Sequence, residues 1–298
     1  MFLLLLFMRL LALSDFHYDP IKWITEQKFL YLEEFAKKEK VDSVILCGDN
    51  SQMWYGQEYH HRFFSRIMKI FPCPVGFVCG NHDLWARGFN FSSRELLEDK
   101  FPEIAKSHDM KYLEHEDIEI GDWKIIGTYG HYDCSLTQLD KIVTQDAIQK
   151  GRLEYSDKVN EYEIVYNDVE QMKWKGEKDK EICRKLIARL EERLSSIDEK
   201  KRIITISHTL PSKRSTGKDY SIKQNFIRAF SGSTKLGDIL KKFPVNYHFC
   251  GHSHAPFQGK IGNAMVVNVG SDYHTLRFVL LDTDSGKITR FQQEKYYH

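Results

Sequence analysis

The sequence predicts a layered α/β fold. Short apolar runs of four or five residues alternate with longer stretches of helical periodicity along the first half of the chain, a pattern typical of βαβ units. Later strand signals follow one another without long helices between them, which indicates an antiparallel part of a sheet. Hydrophobic residues make up 42% of the 298 residues and aromatic residues 13%, enough to form a large core and to exclude intrinsic disorder.

The first half of the chain contains three predicted pairs of a strand and a helix. Each strand is a short β-rich run, and each helix is a longer stretch that follows it. The third helix begins at Ser92-Ser93-Arg94-Glu95, which resembles a capping box. The strands are predicted at residues 10–13, 43–46 and 75–79, and the helices at residues 23–38, 57–70 and 92–100.

The second half begins with predicted strands at residues 118–120 and 124–127, and the pattern then changes. Residues 136–201 are highly charged and helical in period, with one apolar stripe at Ile182, Leu186, Leu190 and Leu194. We interpret this stretch as a helical insertion, either a cap or a peripheral layer, within a single domain spanning residues 1–298. Further strands are predicted at residues 203–207, 247–250, 264–269, 276–282 and 287–291.

The apolar run at residues 1–13 resembles a signal peptide at first sight. No basic region precedes it, however, and no A-x-A-like cleavage site follows it. Arg9 interrupts the run, which is also shorter than the roughly 20 residues of a membrane span. A buried first strand is therefore the better interpretation.

Cysteine use favours a cytoplasmic protein, and the net charge does not favour a polyanionic partner. The six cysteines include no C-x-x-C pair, and buried free thiols in a reducing compartment explain them best. The 43 basic and 42 acidic residues give a net charge of +1, which provides no overall field to attract nucleic acid or an anionic membrane. We therefore expect no membrane partner and do not favour a nucleic-acid partner.

Five polar blocks follow predicted strands, at the edge where α/β sheets usually bind ligands. Taken singly, an Asp there is more often a turn former, and a His is more often a satisfied polar residue. Together, three Asp or Asn groups and four imidazoles at one edge require a counter-charge, and divalent cations provide it. Such mixed ligands suit Mn, Fe, Zn, Ni or Co better than Ca or Mg. The blocks are Ser14-Asp15-Phe16-His17, Gly48-Asp49-Asn50, Gly80-Asn81-His82-Asp83, Ser207-His208 and Gly251-His252-Ser253-His254.

The order D-x-H, G-D, G-N-H-D, a strand-ending His and G-H-x-H resembles the full signature of the calcineurin-like metallophosphoesterase superfamily. The resemblance spans most of the chain and implies a four-layer αββα sandwich of two mixed β-sheets flanked by helices. It also implies two divalent metal ions, manganese among the candidates. Carried over residue by residue, Asp15, His17 and His254 resemble the ligands of the first metal, Asn81, His208 and His252 those of the second, and Asp49 the bridge between them.

The resemblance implies hydrolysis of a phosphomonoester or phosphodiester by a metal-bridging hydroxide. Two metal ions about 3.5–4 Å apart lower the pKa of a shared water toward neutrality. His82 resembles the proton donor of the family, a role that typically contributes about 10²–10⁴-fold, and Asp83 would orient its ring. Arg87 and His131 are candidate substrate contacts, because each follows a predicted strand near the expected site.

Departures from subfamily motifs argue against two subfamilies of this superfamily. Gln52 stands where purple acid phosphatases have a Tyr ligand, and the protein serine/threonine phosphatases read G-D-x-x-D-R-G and G-N-H-E, which this chain does not. A nuclease of the same superfamily stays an alternative, because the Mre-type nucleases share G-N-H-D and G-H-x-H. A non-catalytic binding scaffold on the same fold is less favoured, because such proteins have lost metal ligands and this chain has them all.

Overall fold

The computed structural model describes residues 7–19, 21–156, 161–217 and 221–293. The part of the N-terminal apolar run that precedes Phe7 lies outside these residues. Within the rest of that run, Arg9–Leu13 forms a buried first strand, as predicted. The strands are β1 (Arg9–Leu13), β2 (Ser43–Cys47), β3 (Val75–Val78), β4 (Lys111–Tyr112), β5 (Ile118–Ile120), β6 (Trp123–Thr128), β7 (Arg152–Ser156), β8 (Glu161–Val165), β9 (Arg202–Ser207), β10 (Val245–Cys250), β11 (Phe257–Ile261), β12 (Ala264–Asn268), β13 (Arg277–Asp282) and β14 (Ile288–Gln292).

The helices flank these strands. Two of them, at Trp23–Lys38 and Gln57–Ile70, have the predicted bounds. The α-helices are α1 (Trp23–Lys38), α2 (Gln57–Ile70), α3 (Ser93–Glu95), α4 (Phe101–Ser107), α5 (Gln145–Lys150), α6 (Asp168–Gln171), α7 (Asp179–Ser195), α8 (Ile222–Arg228) and α9 (Thr234–Lys242). Single 3₁₀ turns lie at Met53–Tyr55, His82–Leu84 and Lys213–Thr216.

Two six-stranded mixed sheets form the centre of the molecule, which confirms the predicted fold class. The first has the order β14-β13-β1-β2-β3-β4, with β1 to β4 parallel and β13 antiparallel to both of its neighbours. The second has the order β11-β12-β10-β9-β6-β5, parallel from β6 through β12 with an antiparallel strand at each edge. The late strands are therefore only partly antiparallel, because β10 pairs in parallel with both β9 and β12.

Alternating side chains of each strand supply two different layers of the core. In β1, Leu10 and Ala12 pack toward the second sheet with Ile204 and Phe249, whereas Leu11 and Leu13 pack toward the helices with Phe29. Successive side chains of a strand point to opposite faces, so one apolar strand can serve both layers. This packing produces the αββα order of layers.

The predicted helix at residues 92–100 has the predicted start but a later end. Ser92 and Glu95 form the reciprocal hydrogen bonds of a capping box. The helix then passes through one π-helical segment, Leu96–Lys100, and continues as α4 to Ser107. Pro102 has no backbone N–H to continue the regular ladder, which is consistent with the altered pairing just before it.

The segment 136–201 is not helical throughout, which corrects that part of the sequence prediction. It contains α5, α6 and α7 but also a β-hairpin of β7 and β8, in which Tyr155 and Tyr162 stack at 4.9 Å. Apolar and charged residues alternate in Arg152–Ser156 and Glu161–Val165, and the high charge of the segment hides this period of two. The apolar stripe from Ile182 to Leu194 is buried on α7, as predicted.

All six cysteines are free thiols, and four of them are buried. Within the described ranges, no helix has the length and apolar composition that crossing a membrane requires.

Candidate metal centre

The polar blocks meet where the carboxyl ends of the parallel strands of both sheets come together. Asp15 and His17 follow β1, Asp49 follows β2, and Asn81 follows β3 in the first sheet. His208 follows β9, and His252 and His254 follow β10 in the second sheet. Strand direction alone therefore brings all seven predicted ligand residues to one edge of the sandwich.

Five of these residues have a left-handed backbone conformation. Each such conformation costs a non-glycine residue about 1–3 kcal/mol, and residues of this kind concentrate at functional sites. The strain therefore points to a role other than stability for these loops. The five are Asp15 (φ 50°), His17 (φ 50°), Asp49 (φ 52°), His252 (φ 67°) and His254 (φ 53°).

Two glycines of the motifs are required by close approaches inside the site. Gly48 has a φ of +84°, and a Cβ there would lie 2.6 Å from Nδ1 of His208. A Cβ on Gly80 would lie 2.1 Å from Oδ1 of Asp49. Both distances are far below van der Waals contact, so only glycine lets the loops converge.

The first group of donors consists of Asp15, His17 and His254. The Nε2 atoms of His17 and His254 are 3.2 Å apart, and Oδ1 of Asp15 lies 3.5 Å from Nε2 of His254. Each residue offers one ligand atom, and these atoms lie within 4.8 Å of one another. One cation could therefore be held among them.

The second group consists of Asn81, His208 and His252. Oδ1 of Asn81 lies 2.9 Å from Nε2 of His208 and 3.1 Å from Nδ1 of His252. These two histidine nitrogens are also 3.1 Å apart. The three atoms thus lie within 3.1 Å of one another, close enough for one metal ion to contact all of them.

Asp49 lies between the two groups. Its Oδ2 is 3.7 Å from Nε2 of His17 and 3.4 Å from Nε2 of His208. Its other oxygen accepts a hydrogen bond from the backbone N–H of His82 at 2.9 Å, which holds the carboxylate in place. Asp49 is thus the residue that the geometry offers to both groups.

The histidine tautomers fit metal binding. Nδ1 of His208 lies 2.9 Å from the carbonyl of Cys47, and Nε2 of His252 lies 3.0 Å from the carbonyl of Phe230. A carbonyl only accepts, so each of these nitrogens carries the proton. In the neutral form of each ring, the opposite nitrogen, which faces the other donors, carries the lone pair that would bind a metal ion.

The electrostatics of the centre also fit a cation. Burial opposes ionisation of Asp49, but the neighbouring His208 and His82 hold the pKa of its carboxyl well below its usual range. For His208, burial favours the neutral ring, but Asp49 outweighs it and raises the pKa to about 9, so a bound cation would replace the Nε2 proton as the positive charge beside Asp49. Two carboxylates, Asp15 and Asp49, are thus buried among imidazoles, a donor set that suits divalent cations.

His82 lies beside the candidate metal ligands, and side chains other than the expected Asp83 hold its ring. Its Nδ1 is 2.7 Å from Oε1 of Gln52, its Nε2 is 3.0 Å from the hydroxyl of Tyr273, and its ring packs on Trp85 at 3.8 Å. Burial is the largest influence on His82 and lowers its pKa. Nε2 of Gln52 also lies 3.3 Å from Nδ1 of His17, so this one side chain contacts both imidazole rings.

The expectation that Asp83 orients His82 is corrected by these contacts. The Asp83 carboxylate accepts hydrogen bonds from the backbone N–H groups of Asn50, Ser51 and Gly80, and it lies 2.9 Å from Nε2 of His60. It therefore ties the loop after β2 to the loop after β3. His60 is fully buried, because its face of α2 packs against this carboxylate.

Lys28 is a further buried residue that the sequence does not single out. Its ammonium donates to the carbonyl of Phe16 and to that of Asp272, both at 2.8 Å. Burial lowers its pKa to about 7. The lysine thus joins the D-x-H loop to the loop that carries Tyr273.

The segment 136–201 also reaches the centre. Oδ1 of Asp168 accepts hydrogen bonds from Nδ2 of Asn81 at 2.9 Å and from Nε1 of Trp85 at 2.7 Å. Burial raises the pKa of Asp168 to about 7, although both hydrogen bonds oppose the shift. The hydroxyl of Tyr166 lies 3.1 Å from Nε2 of His252. No motif marks either residue in the sequence.

A cavity of about 350 Å³ opens beside the donors. Its wall combines ligand residues with aromatic and neutral polar side chains. The lining is Asp49, Asn81, His82, Trp85, Val165, Tyr166, Asn167, Asp168, Gln224, Ile227, Ser231, His252, Ser253, His254 and Tyr273.

The two candidate substrate contacts lie outside this lining, which corrects their expected role. Arg87 forms an exposed ion pair with Glu170 at 2.6 Å. His131 is fully buried, and its Nε2 lies 2.8 Å from Asp179 while its Nδ1 lies 3.2 Å from Tyr129. Arg87 and His131 therefore each contact a carboxylate of the segment 136–201.

Known structures share this architecture. Phosphopantetheinyl hydrolase from Mycobacterium tuberculosis aligns with a TM-score of 0.68 at 17% identity, over 89% of each chain. A protein from Thermus thermophilus aligns with a TM-score of 0.56 at 12% identity, and a dimetal phosphatase from Danio rerio with 0.54 at 14%, each over 96% of this chain and 98% of its own. At these identities the likeness shows the fold.

The family itself is identified by sequence. Among curated proteins, none matches the chain significantly. The sequence model described as calcineurin-like phosphoesterase matches residues 8–256, which include all five polar blocks. Because this match covers most of the chain, and the fold and donor groups agree with it, the chain belongs to the calcineurin-like phosphoesterase family, whose members are metal-dependent hydrolases of phosphate esters.

Proposed function

We propose that the protein is a dinuclear metal-dependent phosphoesterase that hydrolyses a small phosphomonoester or phosphodiester. The observation that carries this proposal is a pair of donor clusters on either side of Asp49. The ligand atoms of Asp15, His17 and His254 lie within 4.8 Å of one another, and so do those of Asp49, His208 and His252. Asp15, His17 and His254 would hold one ion, and Asn81, His208 and His252 the other. Mn, Fe, Zn, Ni and Co are the candidate ions, because the ligands mix carboxylate, amide and imidazole.

Divalent ions in these sites would supply positive charge to the phosphoryl oxygens and lower the pKa of a bound water. The chain's own contribution begins with placement. The cavity beside the donors admits a phosphate ester next to His82, whose Nε2 faces Tyr273 on the cavity wall. We assign His82 the transfer of a proton to the departing oxygen, with Gln52 and Trp85 holding its ring.

We further propose one domain over residues 1–298, with the segment 136–201 as a cap on the cavity. Val165, Tyr166 and Asn167 of that segment line the cavity together with Tyr273. A wall of this kind limits the bulk of the substrate near the phosphate. It favours a small ester over a long nucleic acid, in agreement with the net charge of +1.

The test is a metal reconstitution assay. The protein is stripped with EDTA, reloaded with Mn²⁺, Ni²⁺, Co²⁺, Zn²⁺ or Mg²⁺, and assayed on para-nitrophenyl phosphate, its bis ester, nucleotides, a phosphopantetheinyl conjugate and a single-stranded oligonucleotide. We expect two bound ions per chain and turnover of a mono- or diester that chelation abolishes. Inertness toward the whole panel in a protein loaded with two ions would contradict the proposal.

A matched pair of histidine variants separates the site from the rest of the molecule. His208→Ala removes a donor of the second group and should abolish turnover. His61→Ala serves as the control, because its ring contacts His108 and lies outside the cavity lining. Equal activity in the two variants would count against the assigned site.

A further inference from the structure

Asp168 lies far along the chain from every polar block, yet its carboxylate contacts a proposed metal ligand. Oδ1 of Asp168 accepts from Nδ2 of Asn81 at 2.9 Å and from Nε1 of Trp85 at 2.7 Å. The residue is only 1% exposed, so water does not compete for these donors. The contact is therefore a built part of the site rather than a surface encounter.

The two ends of the Asn81 amide differ in chemistry. Oδ1 is able to ligate a cation, whereas Nδ2 only donates hydrogen bonds. Oδ1 faces Nε2 of His208 at 2.9 Å and Nδ1 of His252 at 3.1 Å. A rotated amide would set its oxygen against the carboxylate of Asp168, acceptor to acceptor, and would turn its N–H groups toward the cation.

We infer that Asp168 is a positioning residue for the second metal ion, because it accepts from Nδ2 of Asn81 and so holds Oδ1 of Asn81 in the ligating orientation. This inference rests on the proposed pair of metal ions. The same carboxylate oxygen holds Trp85, on which His82 packs. Asp168 therefore joins the second ion site and the proposed proton donor through one atom.

Tyr166 makes a second contact from the same segment. Its hydroxyl lies 3.1 Å from Nε2 of His252, the nitrogen opposite the one that faces Asn81, and its ring stacks on Phe230 at 4.2 Å. Segment 136–201 thus touches two of the three donors of the second group. It touches them through Tyr166 and Asp168, side chains that no sequence motif marks.

The experiment compares Asp168→Ala with Asp168→Asn by calorimetric titration of EDTA-stripped protein with Mn²⁺. Alanine removes the acceptor, and we expect it to weaken one of the two ion sites by about 10–100-fold while the other stays unchanged. Asparagine restores an acceptor oxygen and should recover most of the affinity. Glu170→Ala is the control on the same helix, since its exposed ion pair with Arg87 lies outside the cavity lining.

Two results would overturn the inference. One is wild-type affinity at both sites in Asp168→Ala, and the other is an equal loss in the alanine and asparagine variants. Urea unfolding of the metal-free proteins shows whether alanine disturbs the fold, and a structure of the Mn²⁺-loaded wild type with Nδ2 of Asn81 turned away from Asp168 overturns the inference without any variant. A wild type that binds fewer than two ions would instead remove the proposed function.

Discussion

His82 is enclosed by three side chains from three parts of the chain. Gln52 follows β2, Trp85 follows the G-N-H-D block, and Tyr273 lies between β12 and β13. Two hydrogen bonds and a packed ring leave the imidazole little freedom. A side chain held this firmly beside the donor groups suits proton transfer, where geometry must be met before the pKa matters.

If His82 is the proposed proton donor, replacing it with alanine should lower kcat by about 10²–10⁴-fold, because the departing oxygen then leaves unprotonated. The loss should be larger for an alkyl phosphate than for a para-nitrophenyl ester, since para-nitrophenolate leaves without a proton. Steady-state kinetics on both substrates measure the difference, and His61→Ala is the control. Loss of a metal ion from His82→Ala would assign His82 to metal binding instead.

For single residues, the sequence identifies the candidate metal ligands better than the side chains that hold them in place. Asp15, Asp49 and the histidines of the blocks are recognisable because each follows a strand in a set order. Gln52, Tyr166, Asp168 and Tyr273 have no such pattern. Asp83 shows the difference, because adjacency to His82 suggests an orienting role, whereas the turn after β3 directs its carboxylate toward the loop after β2.

Among the elements, α7 is attached to the body through a group of charges around Glu98. Oε1 of Glu98 accepts a hydrogen bond from Arg189 of α7 at 2.8 Å, and Oε2 of Glu98 lies 2.9 Å from Nε2 of His115. Partial burial opposes ionisation, but the hydrogen bonds to His115 and Arg189 lower the pKa of Glu98 to about 2. The helix that carries the apolar stripe is thus also held by charge.

We expect ionised Glu98 to stabilise the fold at neutral pH and to lose this effect as the pH falls. The folded pKa of Glu98 is about 2 and its ordinary value is 4.5, so the stabilisation is full above pH 4.5 and is lost as the pH falls toward 2. Glu98→Gln should lower the free energy of unfolding by about 1 kcal/mol at pH 7 and by progressively less below pH 4.5. Urea unfolding across this range measures it, with exposed Glu103→Gln as the control; a difference that grows as the pH falls would contradict the sign.

The hairpin of β7 and β8 shows why elements of the segment 136–201 were harder to predict than those of the two sheets. A strand buried on both faces is a continuous apolar run, and β1 to β3 are of this kind. The hairpin instead exposes charged residues at alternate positions. The composition of the hairpin therefore resembles that of a solvent-exposed helix, and only the alternation of apolar and charged residues distinguishes the two.

For the molecule as a whole, metal binding should add to stability. An ion that binds only the folded state at a free concentration of 100 times its Kd adds about 2.7 kcal/mol, which corresponds to a rise in Tm of roughly 4 °C for a chain of 298 residues. Thermal unfolding of the EDTA-treated protein, with and without added Mn²⁺, measures the shift. An unchanged Tm with each candidate ion would contradict the proposed centre, and His208→Ala should show a smaller rise.

The sequence by itself determined the fold class, the family and the order of the donor residues, because strand periodicity and local motifs are properties of neighbouring residues. Only the tertiary structure decided which side chains support those donors. Gln52 on His82, Asp168 on Asn81 and Tyr166 on His252 join positions that are 30 to 87 residues apart. Such contacts depend on how loops and the segment 136–201 pack in space, and no local pattern in the chain encodes that packing.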